Sequence, residues 1–96
     1  MATVTATQII LQDSHGNNRV VLEVDANNQV QITVIARNGQ KAVDIHESFE
    51  GDGVLYLNGG NGCAIEMNAE GGSPSLGIIV GGTIPVSLNK DGLHTH

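Results

Sequence analysis

Aromatic side chains are almost missing from this chain of 96 residues: Phe49 and Tyr56 are the only two, and there is no tryptophan. The residues that usually supply the largest buried areas are therefore absent, and a chain this short is not expected to build a self-sufficient core. Positive charge is nearly as scarce. Arg19, Arg37, Lys41 and Lys90 stand against ten acidic residues, a net charge of −6, which argues against a surface that tracks nucleic-acid phosphates or an anionic membrane. Cys63 is alone, so there is no intrachain disulfide framework, and a buried small hydrophobe is the role its chemistry favours. No run approaches the ~20 apolar residues of a membrane-spanning helix. Met1-Ala2-Thr3-Val4-Thr5 has neither the basic nor the apolar region of a signal peptide.

What is present is aliphatic alternation. Gln8 to Gln12 is apolar and ends in the turn cluster Asp13-Ser14-His15-Gly16-Asn17-Asn18. Val20, Leu22 and Val24, then Val30, Ile32 and Val34, alternate with other residues and are separated by Asp25-Ala26-Asn27-Asn28. Shorter units follow at Val43 to His46, Val54 to Leu57, Cys63 to Met67, Leu76 to Val80, Ile84 to Leu88 and Leu93 to His96. Period-two runs closed by Gly, Asn and Asp read as half-buried strands. Glycine pairs or triplets such as Gly59-Gly60-Asn61-Gly62 and Gly81-Gly82 supply the turns. The chain is thus expected to be all-β, about nine short strands with spacing that tightens along its length and no helical period.

Even spacing of this kind fits a β-sandwich, a single-chain solenoid or an intertwined β-helix made by several chains. A sandwich normally has aromatic anchors, and a solenoid a fixed rung length. An intertwined trimer needs only a narrow aliphatic stripe per strand, because three chains complete each layer, and it is the preferred architecture: residues 1–96 as one β-helical needle. Register stays open in two places. Val54 and Tyr56 compete with Leu55 and Leu57 for the inward face, and Leu93 and Thr95 compete with His94 and His96.

His94 and His96 are the strongest chemical signal. A His-x-His pair on an extended strand turns both imidazoles to one face. Three copies meeting on a threefold axis would bring six imidazole nitrogens to one point, which suits an octahedral ion such as Fe(II) or Ni(II), whereas four would suit tetrahedral Zn. A frayed tail is the alternative. His15 and His46 lack a second ligand at suitable spacing and are expected to be exposed spacers. The carboxylates fall mainly in turns or at outward strand positions, and nothing promises the concave, desolvated site that acid/base catalysis needs. Asp13 and Asp25 stand in turns, but the glycine-rich nonapeptide repeat of calcium-binding solenoids is absent. Gly59-Gly60-Asn61-Gly62 lacks the lysine and hydroxyl residue of a phosphate loop. An enzyme is not expected.

A glycine-punctuated series of short aliphatic strands ending in Gly92-Leu93-His94-Thr95-His96 resembles the membrane-piercing central spike of contractile-tailed phages and related injection systems, the baseplate assembly protein V family. The resemblance covers the chain in style from about Gln8 and in motif only at residues 93–96. It implies a homotrimeric, intertwined β-helix tapering to a metal-binding apex at 93–96. His94 and His96 of each chain would hold one octahedral iron ion per trimer, with another divalent transition metal as the variant. It further implies partners in the tail tube and baseplate hub, a place at the tip of the virion tail, and mechanical contact with the bacterial outer membrane, without nucleic acid. Members carry an oligonucleotide/oligosaccharide-binding barrel ahead of the needle, and none precedes the strands here, so a tip fragment or separate tip protein is expected. The competing expectation, from a different class, is a trimeric fibre or adhesin segment that binds cell-surface glycans through its exposed turns.

Overall fold

The computed structural model describes residues 3–48, 50–69, 71 and 73–95. Among them there is no helix, and nine strands run as β1 (Gln8–Gln12), β2 (Asn18–Val24), β3 (Val30–Ile35), β4 (Lys41–Glu47), β5 (Gly53–Gly60), β6 (Cys63–Asn68), β7 (Ser75–Val80), β8 (Thr83–Asn89) and β9 (Gly92–Thr95). They form a single antiparallel sheet in which spatial order equals sequence order. Each strand pairs with its sequence neighbours inside one chain, from β1 to β9.

The tightening of spacing resides in the connections. Residues 13–17, 25–29, 36–40 and 48–52 join the first five strands, whereas only 61–62, 81–82 and 90–91 join three of the later pairs. The four long turns are one device used four times. In each, the first residue's N–H donates to the carbonyl of the fifth, and the fourth residue's N–H donates back to the first carbonyl: Asp13/Asn17 with Gly16, Asp25/Gln29 with Asn28, Ala36/Gln40 with Gly39, Ser48/Asp52 with Gly51. The fourth residue is left-handed every time, with φ of 82°, 61°, 86° and 89°. A tight turn closed by a left-handed residue is a standard hairpin solution, and glycine or asparagine is what it accepts.

Four register shifts interrupt the ladders, between β1 and β2, β3 and β4, β5 and β6, and β7 and β8. The other four ladders are regular. Because hairpin turns alternate sides, all four shifts sit beside turns on the same margin of the sheet. A bulge bends its strand and adds right-handed twist, so this margin curls. The molecule measures 46 × 30 × 26 Å, although a flat sheet layer is only about 10 Å thick. The long axis is the direction in which strands stack, since eight inter-strand steps of about 4.8 Å cover most of it.

A single sheet has nothing to pack against. Among the described residues only Ala64 and Thr33 are buried, and no side chain is fully enclosed. The chain exposes 6902 Å², where a compact monomer of 10.0 kDa would expose about 5,200 Å². Its radius of gyration is 15.9 Å against about 12.5 Å for a compact domain of this length.

Candidate functional site

The cross-strand pairs assign every strand residue to a face. Ile9, Leu22, Ile32, Ile45, Leu55, Met67, Leu76, Leu88 and Leu93 are successive partners, so one apolar row crosses all nine strands. A second row on the same face runs from Leu11 through Val20, Val34, Val43, Leu57, Ile65 and Ile78 to Val86 and Thr95. Much of this face is open to solvent: Met67 is 47% and Leu93 68% exposed. A groove of about 580 Å³ runs along it, lined by Ile45, Leu55, Met67, Leu76 and Leu88 among others.

This settles the register left open by the sequence. Leu55 and Leu57 join the apolar face, while Val54 and Tyr56 turn to the other, where Tyr56 lies between Asp44 and Glu66. The opposite face is polar: the row containing Tyr56 continues from Thr33 through Asp44, Glu66, Gly77 and Ser87 to His94.

His94 therefore stands on the polar face, across from Ser87, with Nε2 3.1 Å from Asn89 Oδ1. Leu93 and Thr95 take the apolar side of β9. His96, its expected partner in metal binding, lies outside the described residues. Within them, no three His, Cys, Asp or Glu side chains gather where they could hold a metal ion.

The remaining expected features find concrete roles. Asp13 Oδ1 accepts the N–H groups of His15 and Asn17 at 2.9 and 3.1 Å, and Asp25 Oδ1 accepts those of Asn27 and Gln29 at 2.8 and 3.1 Å. These carboxylates anchor their own turns. The Asn17 N–H, and secondarily His15, Asn17's side chain and the Arg19 charge, hold the Asp13 carboxyl below its ordinary range, against a smaller opposing effect of burial. His15 is exposed, as expected. His46 is not a simple spacer: it is half-buried, and its Nδ1 lies 3.2 Å from Asp44 Oδ1. Cys63 is only partly covered, with Sγ 4.0 Å from the Asn61 carbonyl oxygen. Two features escaped the sequence reading: the repeated turn, whose signal is a Gly or Asn three residues after each anchor, and a depression over Gly77, whose signal is a glycine inside a strand rather than at its end.

Comparison with protein-family models, with curated proteins and with solved structures finds no match.

Proposed function

We propose that this chain is a structural protein without catalytic turnover: three copies turn their apolar faces to a common axis and form a rigid, three-sided β-shaft. The observation that carries this reading is the uninterrupted apolar row across all nine strands, left uncovered by any second layer. The excess of exposed area over a compact monomer, about 1,700 Å², exceeds the roughly 800 Å² per partner of a standard interface and reaches the obligate range. A closed threefold arrangement covers such a face on every copy alike, whereas a face-to-face pair of strongly twisted sheets would leave margins open.

An elongated shaft with a short last strand suits the tip of a spike in a contractile tail or related injection system, as the C-terminal motif suggests. Its partners would then be hub and tail-tube proteins at the β1 end and the bacterial outer membrane at the β9 end, and its place the virion tip. The work would be mechanical, and stiffness its only chemistry. Iron held by His94 and His96 on the axis would require the segment after Asn89 to turn its faces over, since Leu93 and not His94 shares the apolar row.

Native mass spectrometry of the untagged chain, with elemental analysis of the same sample, tests both parts. A trimer is expected. Iron at one per three chains, lost in the His94→Ala/His96→Ala double variant, would establish the apical site and an inverted β9. A metal-free trimer would keep the shaft and remove the iron, and a monomer at micromolar concentration would overturn the reading.

A further inference from the structure

The polar face carries a depression of about 360 Å³ lined by Gly77, in the middle of β7. Glycine inside a strand weakens it, and it commonly marks a bulge, a bend or a place where another group must come close. Neither of the usual structural reasons holds at Gly77. Its φ lies outside the left-handed range that favours glycine, and a Cβ there would meet only Ile84 Cγ2, at the ordinary distance of 3.9 Å. Gly77 pairs regularly with Glu66 on one side and Ser87 on the other. What the missing side chain provides is the open space itself.

The walls of that space are chemically divided. Glu66 and Ser87 flank the floor, and Asn68 and Ser75 continue the polar side one pair further along β6 and β7. Ile79 and Ile84 form the apolar side. Ile84 reaches this face because the β7–β8 ladder shifts: Ile78 pairs with Val86 and Val80 with Thr83, so Ile84 and Pro85 together oppose Ile79. Proline fits such a bulge, having no N–H to give the ladder. The Glu66 carboxylate is half-buried and accepts no hydrogen bond or ion pair from any described residue. Among the described residues no lysine or arginine lines the cavity.

We infer that this depression is a binding site for a neutral sugar ring. The Glu66 carboxylate and the Ser75 hydroxyl on one wall match the vicinal hydroxyls of a pyranose, which both donate and accept. The two isoleucines match its C–H face. The unpaired carboxylate disfavours anionic ligands, and 360 Å³ falls at the lower end of small-molecule sites. The site lies within one chain and, apart from Leu76, is lined by residues outside the two apolar rows, so it does not depend on trimer formation. If three chains do associate, the shaft presents three such sites to the same surface.

The test is saturation-transfer NMR on the purified chain with a panel of neutral methyl glycosides, followed by titration of any that bind. At least one glycoside is expected to bind, with its ring protons receiving saturation. Gly77→Val, which fills the floor, and Glu66→Ala, which removes the acceptor, should each weaken binding by about tenfold or more, with unchanged oligomeric state and a melting temperature that does not fall in Gly77→Val. Absence of binding across the panel would overturn the inference, as would wild-type affinity in Gly77→Val. Dissociation of the oligomer by Gly77→Ala would also overturn it, since the glycine would then serve contact between chains.

Discussion

A single carboxylate shows how local these structures are. Asp13 closes its turn by accepting two backbone N–H groups, and its proton affinity is lowered because the ionised form is the one that accepts them. Its folded pKa lies below its unfolded value, so its contribution to stability is fully present above the ordinary carboxylate pKa of about 3.9 and is lost as pH falls through the folded value. Amide exchange at His15 and Asn17, corrected for intrinsic rate, should accelerate on acidification below about pH 4. In Asp13→Asn, which keeps an acceptor oxygen but does not titrate, that dependence should disappear.

At the scale of elements, the strands were legible in the sequence and their mutual placement was not. Alternation marked most of the strands, because solvent on one side and apolar neighbours on the other impose a period of two, and short apolar runs closed by turn residues marked β1 and β5. β5 was ambiguous for a physical reason: Val54-Leu55-Tyr56-Leu57 is apolar at every position, so only its neighbours decide which side faces which. Ile45 and Met67 opposite Leu55 make that decision. The same limit hid the candidate sugar site, since Glu66, Gly77 and Ser87 come from three strands and meet only through register. The two kinds of turn should respond differently to one added methyl. At Gly39, with φ of 86° and no atom within 4 Å of a Cβ, alanine should cost roughly 1 kcal/mol, the left-handed penalty alone. At Gly62 a Cβ would sit 3.1 Å from Gly81 Cα, and the Gly62 carbonyl accepts from Gly82 N–H at 3.2 Å. Gly62→Ala should therefore cost clearly more than Gly39→Ala in urea unfolding, because two backbones rather than a flexible side chain must separate.

At the scale of the molecule, the proposed shaft makes the sheet one part of an apolar contact that further copies of the chain complete. Hydrophobic burial dominates folding free energy, and a layer in which only Ala64 and Thr33 are buried among the described residues draws little of it from within. Folding and association should then be one process, with a melting temperature that rises as chain concentration rises, since mass action favours the assembled state. The two faces of β5 allow a sharper comparison. Leu55 and Val54 are adjacent in sequence, both apolar, and stand on opposite sides of the sheet. Leu55→Glu places a charge on the row that crosses all nine strands and should abolish the proposed trimer in sedimentation velocity. Val54→Glu places the same charge beside His46 and Asn68 on the polar face and should leave both the trimer and the concentration dependence of melting intact. Equal loss of assembly in both variants would mean that association does not discriminate between faces, and the shaft would have to be rebuilt around some other contact.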